Sequence, residues 1–264
     1  MITSEEIKRT LWAAANQLRG SMDASRYKDY MLGLMFYKFL SDKTLDTYRK
    51  LGKYFDLTEQ ELIDQYKEQT DQQSLRLYGL IEKTQGYYVE AKYLYQMWLR
   101  DIDAGEFELE KVIESLNNFE RTISKDSDDF KGLFSSSTMD LSNTALGSSL
   151  KDRSNSIKSL IELFADKNMV ELQEGDVLGD AYEYLIGMFA MESGKKAGEF
   201  YTPRQVSEVM AQIVAESGKI RDIYDPTVGF RVIIVIEANS YVNIRSSRLL
   251  PKFKTQKINS WCAA

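Results

Sequence analysis

Residues 25–43 read SRYKDYMLGLMFYKFLSDK, with apolar side chains at Tyr27, Tyr30, Met31, Leu34, Met35, Tyr37, Phe39 and Leu40. Wound at 3.6 residues per turn, these positions cover most of a helix surface rather than one stripe. The segment is therefore expected to be a central helix, buried on nearly every side. A helix of that kind requires other helices around it, and the flanking pattern supplies them. Upstream, Thr3 and Glu6 have capping-box spacing, Ile7, Leu11, Ala14 and Leu18 recur at helical intervals, and Gly20 closes the run. Downstream, LTEQELIDQYKEQ opens with Thr58 as N-cap and places Leu62 and Tyr66 on one face. Further helices are expected around residues 88–98 and 107–119.

Residues 125–149, KDSDDFKGLFSSSTMDLSNTALGSS, are rich in Ser, Asp and Gly and carry no clear apolar period. Two readings stand: a flexible linker, or an ordered irregular segment packed through Phe130, Leu133, Phe134 and Leu141. Helical spacing then resumes, first with Ile157, Leu160, Ile161 and Phe164, then with Leu178, Ala181, Tyr182, Leu185, Ile186 and Phe189. No alternation long enough for a strand occurs before residue 220.

Composition narrows the chemistry. The 264 residues hold 43% hydrophobic and 28% charged side chains, enough for a packed core and a charged surface. Histidine is absent and Cys262 is the single cysteine, which excludes Ser-His-Asp and Cys-His catalysis, imidazole metal sites and disulfides. No metal site is expected. No apolar run approaches the roughly 18 residues of a membrane span, and the N-terminus lacks secretory features, so a cytoplasmic location is expected. The net charge of −6 is unevenly spread. Residues 231–264 carry six basic groups and one acid, Glu237, for a net of +5, which leaves −11 on residues 1–230. A basic tail attracts DNA, but a shift this abrupt points first to a tail of different origin.

Two motifs carry a candidate ligand site. In GKKAGEFYTPRQVSEVM (194–210), Thr202 fits an N-cap, Pro203 fits N1 and Gln205 fits N3, while Val206, Val209, Met210 and Ile213 form a core-facing stripe. Free backbone N–H groups at such a helix start favour a carboxylate, and Phe200 and Tyr201 offer a flat apolar wall. Alone, a well-capped structural helix with two core aromatics is the better account of this element. About twenty residues later, IYDPTVG (223–229) ends an expected strand at Asp225, whose carboxylate could take a cationic amine, and Gly229 permits close backbone approach. The pair of corners, joined by one helix, is more specific than either.

Taken with LWAAANQLRGSMDASRYKDYMLGLMFYKFLSDK and GDVLGDAYEYLIGMFAMESGKKAGEFYTPRQV, these motifs resemble the modification (M) subunits of type I restriction–modification systems over residues 1 to about 229. The resemblance implies a DNA adenine-N6 methyltransferase that uses S-adenosylmethionine. Glu199, Phe200, Tyr201, Thr202, Pro203 and Arg204 would form one wall of the cofactor pocket. Asp225 and Gly229 would begin the other, with Asp225 near the methionine amino group. It also implies DNA, a specificity (S) subunit and a restriction (R) subunit as partners. The fold it implies is mainly α: a helical N-terminal domain followed by the opening part of an α/β Rossmann-like methyltransferase domain. The expected division is 1–150 helical domain, 151–230 start of the methyltransferase domain and 231–264 aberrant tail.

The sequence departs from the family after Gly229. The family continues Gly-Ser-Gly and apolar residues; here Phe230, Arg231, Val232 and Ile233 follow. None of the three prolines follows an asparagine, so the catalytic Asn-Pro-Pro-Phe/Tyr loop is absent from these residues, and no catalytic residue is assigned. The acid expected to hold the cofactor ribose is missing too. Among the codon sets that encode this stretch is GGT-TTC-CGG-GTC-ATT-ATT-GTT-ATT-G, which, read with one T removed, encodes Gly-Ser-Gly-Ser-Leu-Leu-Leu-Leu. A frameshift near residues 228–229 would thus account for the lost motif and the charge reversal together. The expected function is a methyltransferase subunit by ancestry, inactive alone. The alternative is a non-catalytic helical module that binds partner subunits or DNA.

Overall fold

The computed structural model describes residues 4–18, 24–125, 130–134 and 139–170, together with single helical positions at 184, 209 and 212. The chain divides into two compact units, Met1–Leu185 and Ile186–Ala264. Among the described residues every regular element is helical, and all six α-helices lie in the first unit.

Helix α1 (Ser4–Leu18) buries Ile7 and Leu11, as their spacing requires. Its expected cap, Thr3, lies outside the described residues. Helix α2 (Ala24–Gly52) is the central helix read from residues 25–43, extended by more than two turns. From Tyr30 to Tyr48 runs of two or three buried positions alternate with single half-buried ones, so almost its whole circumference is covered. Helices α3 (Glu59–Gln85), α4 (Tyr95–Ala104) and α6 (Leu150–Leu163) all pack on it.

Thr58 caps α3 as expected, and Glu61 completes a capping box with it. The helix is not straight. Gln73 leaves the helical region (φ −142°, ψ 44°), and the helix kinks there. Tyr66 and Tyr78 would lie about 18 Å apart along a continuous helix, yet their ring centroids are 6.2 Å apart. Leu75 stands at the bend, 91% exposed. The second arm ends at Gly86 in the left-handed region, which satisfies Glu82 O.

The helix expected around 88–98 begins later. Residues 87–90 form no regular element, with Glu90 in extended backbone, Ala91–Tyr93 form one 3-10 turn, and α4 starts only at Tyr95. The displacement has a physical cause. The residue at the N-cap position, Leu94, has no side-chain oxygen, and the Tyr95 N–H instead bonds Ser41 Oγ of α2 at 3.1 Å. The start of α4 is thus set by a residue 54 positions earlier, which no local pattern records. Helix α5 (Leu109–Phe119) falls within its expected range and buries Leu109, Val112, Leu116 and Phe119.

Of the two readings for 125–149, the described residues follow the packed one: Phe134, Met139, Leu141 and Leu146 are buried. Phe130 and Leu133 are half-buried. Ser149 and Asp152 then form a capping box that opens α6, whose Ile157, Leu160 and Ile161, with Phe164 just beyond, make the expected buried stripe. In the second unit, Val209 and Gln212 are helical. Val209 is 55% exposed, which corrects its place on the core-facing stripe. Residues three apart share a helix face, and exposed Gln212 marks that face as solvent-facing.

Candidate functional site

The residues read as cofactor walls, Glu199, Phe200, Tyr201, Thr202, Pro203, Arg204, Asp225 and Gly229, lie outside the described residues. The described part instead shows a polar seam along α2 that organises the helical unit. Five buried polar side chains on this helix, Lys38, Ser41, Asp42, Thr44 and Thr47, face other elements. Ser41 caps α4. Thr47 Oγ1 donates to Gln85 Oε1 at 2.7 Å, and Gln85 Nε2 donates to Thr44 Oγ1 at 3.2 Å, which clamps the end of α3. Two tyrosines act similarly: Tyr37 Oη donates to Tyr93 O and Tyr30 Oη to Asp140 O, each at 2.9 Å.

Asp42 is the centre of this seam. Lys38 Nζ donates to both carboxylate oxygens, at 2.8 and 2.9 Å. Gln96 Nε2 of α4 donates to Oδ1 at 2.6 Å, and the backbone N–H of Met169 donates to Oδ2 at 3.0 Å. A carboxylate offers about four lone-pair sites, and each oxygen here takes two donors. Burial pushes the Asp42 carboxyl above the usual carboxylate range, while the Lys38 charge and bond and the Met169 bond pull it down. Lys38 Nζ also lies 5.7 Å from the centre of the Tyr95 ring. With its acceptor capacity filled and no approach from solvent, Asp42 cannot serve as a general base. Its chemistry is to hold backbone and side-chain donors in place.

Beside the seam lies an aromatic cluster. Tyr37 stacks on Trp98 with centroids 4.7 Å apart and planes at 11°, and meets Phe134 edge-on at 5.5 Å. Trp98 Nε1 donates to Ser115 Oγ at 3.0 Å, so the indole is both packed and satisfied. Among the described residues no group of Asp, Glu or Cys could hold a metal ion, and no helix is long and apolar enough to cross a membrane.

Sequence reasoning passed over Ser41, Asp42 and Gln96. A signal for two of them was present. Polar residues inside a helix that is apolar all round must find buried partners, so Lys38, Ser41 and Asp42 were marked as bonded even though their partners were not.

Comparison with known proteins places these features. Residues 7–164 match the family model described as the HsdM N-terminal domain, and residues 173–257 match that described as N-6 DNA methylase. The MpnII type I restriction enzyme methylase subunit of Mycoplasma pneumoniae is 31% identical over 84% of this chain and 42% of its own length. The MjaIX methylase subunit of Methanocaldococcus jannaschii is 26% identical over 85% of this chain and 38% of its own. Among solved structures, a type I restriction-modification system methyltransferase subunit from Streptococcus thermophilus superposes with a TM-score of 0.75 at 29% identity. That likeness covers 90% of this chain and 50% of the other. The chain therefore spans half or less of the length of these relatives. Both family matches stand on one chain in the order helical domain, then methylase, and the second continues past Gly229.

Proposed function

The chain belongs to the methylase (HsdM) subunits of type I restriction–modification systems, and from that premise we propose that it supplies the helical domain and the opening of the cofactor pocket of a DNA adenine-N6 methyltransferase. The observation that carries this reading is the pair of consecutive family matches on one chain. On this reading the specificity and restriction subunits and DNA are its partners. In keeping with the two matches, and later than the division at 150 expected from the sequence, the helical domain runs to about residue 164 and the methyltransferase segment opens near residue 173; residues 231–264 form an aberrant tail, although the second match runs on to residue 257.

The donor set of the first wall fits S-adenosylmethionine. Phe200 and Tyr201 would present flat apolar surface to a purine, and a helix start at Thr202 and Pro203, which their residue types favour, would present free N–H groups to a carboxylate. Glu199 and Arg204 flank them. The Asp225 carboxylate suits the methionine ammonium, and Gly229 leaves room for the ligand against the backbone. When bound, the cofactor supplies a sulfonium methyl group, an electrophile for the amine of a flipped-out adenine. These residues would bind and orient it; the contribution is positioning. Past Gly229 the fit ends, because Phe230 and Arg231 stand where small residues belong. No residue of this chain is assigned to hold the adenine amine.

The test has two readouts. In the first, the chain is mixed with a specificity subunit, duplex DNA and radiolabelled S-adenosylmethionine. No label is expected in DNA above the no-enzyme blank, and transfer would overturn the inactivity of this chain. In the second, equilibrium dialysis measures cofactor binding. Binding that Asp225→Ala abolishes supports the pocket, whereas no binding favours a helical interaction module.

A further inference from the structure

The bond between Asp42 and Met169 spans 127 positions in sequence. It lands in residues 165–172, the stretch between the two family matches. That stretch is closely held. After α6 the chain turns as the N–H groups of Phe164, Ala165 and Lys167 donate to Ile161 O, Glu162 O and Phe164 O at 3.1 to 3.2 Å. Helical backbone resumes at Met169 and Val170, and the Val170 N–H bonds Asn168 Oδ1 at 3.1 Å. Phe164 and Met169 are both buried, so the joint is anchored at each side of its turn. The Met169 N–H has no local acceptor of this kind; its acceptor comes from α2.

We propose that the Asp42 carboxylate is the latch of this joint: it fixes the path by which the chain leaves the helical domain toward the methylase segment. Asp42 has two separable tasks. With Lys38 it forms a buried ion pair, 2.8 Å long, with both side chains less than a tenth exposed. With Met169 it holds the exit. Breaking a buried pair from one side destabilises a fold, whereas replacing both partners by apolar side chains of similar size is often neutral. The two tasks therefore respond differently to substitution.

The experiment uses the full chain and compares Lys38→Met, the double variant Lys38→Met/Asp42→Leu, and Asp42→Asn. Two quantities are read: the melting temperature, and the rate of tryptic cleavage after Lys167 relative to cleavage after Lys151 in α6. Lys38→Met should lower the melting temperature and leave the cleavage ratio unchanged, because the Met169 bond survives. The double variant should regain only part of the melting temperature, because Gln96 and Met169 lose their acceptor, and should cleave after Lys167 about ten-fold faster, the factor that corresponds to one net hydrogen bond of about 1.4 kcal/mol. Asp42→Asn should raise the ratio as well, since an amide replaces one acceptor by a donor. A double variant with the wild-type ratio would overturn the latch. So would both Asp42 variants being unfolded, because Asp42 would then hold the whole domain rather than its exit.

Discussion

Replacing Tyr37 by Phe removes one oxygen from the centre of the helical unit. The Tyr37 side chain is fully buried, and its hydroxyl donates to Tyr93 O at 2.9 Å, with Ser115 O at 3.4 Å. Burial holds the phenol well above its usual pKa, so it remains a donor throughout the working range. Tyr93 O lies at the 3-10 turn that leads into α4, where this bond fixes the approach of the chain to its cap on Ser41. The substitution loses a buried hydrogen bond and leaves that carbonyl without its hydroxyl donor, a cost of about 1–2 kcal/mol. Tyr37→Leu removes the ring as well. It adds the loss of the stack on Trp98 and of the edge contacts to Phe119 and Phe134. Aromatic pairs of this geometry contribute about 0.5–1.5 kcal/mol beyond area burial, so the total should reach about 3 kcal/mol. Urea unfolding followed by far-ultraviolet circular dichroism reads both values. For a unit of this size the melting temperature should fall by about 2–4 °C per kcal/mol. If Tyr37→Phe lies within about 0.5 kcal/mol of wild type, the hydroxyl does not position the turn. If Tyr37→Leu costs no more than Tyr37→Phe, the stack on Trp98 contributes nothing.

Ser41→Ala should cost about 1–2 kcal/mol in the same assay, because it orphans the buried Tyr95 N–H; a neutral result would mean that α4 starts without this cap. Gly105→Ala should cost about 1 kcal/mol, from left-handed backbone alone (φ 73°), since nothing lies within 4 Å of the added methyl. Gly147→Ala should cost more, about 2–3 kcal/mol, because its methyl would stand 2.5 Å from Asp152 Cβ and 2.7 Å from Arg153 N; equal costs for the two would refute the steric account. The Glu61 carboxyl is lowered by its bonds from Thr58, and that of Asp152 by its bonds from Ser149 and Ser148. A folded value below the unfolded one adds stability above the unfolded pKa, and that stability is lost as pH falls through the folded value. Glu61→Gln should therefore lower the melting temperature at neutral pH and converge with wild type as pH drops below the carboxylate range. A pH-independent difference would show that the charge is not what the cap uses.

What could be read without coordinates was whatever rests on near neighbours in sequence. The all-round apolar pattern of residues 25–43 determined a central helix, and α2 is one. Thr58 as N-cap determined the start of α3, because a cap acts within the first turn, and the structure adds Glu61 as the other half of a capping box. Ile157, Leu160, Ile161 and Phe164 determined the buried face at α6. The motifs 199–204 and 225–229 pointed to the family, because their chemistry is written in contiguous residues. The tertiary structure alone decided the features whose partners are far apart. It bent α3 at Gln73, a residue with no turn signature, where Tyr66 and Tyr78 pack together across the kink. It moved the start of α4 to Tyr95, where the acceptor is Ser41. It joined Lys38, Gln96 and Met169 around one carboxylate, that of Asp42, whose acceptor sites they fill. A local pattern records which groups need partners, but only the packing of helices determines which partners come within bonding distance.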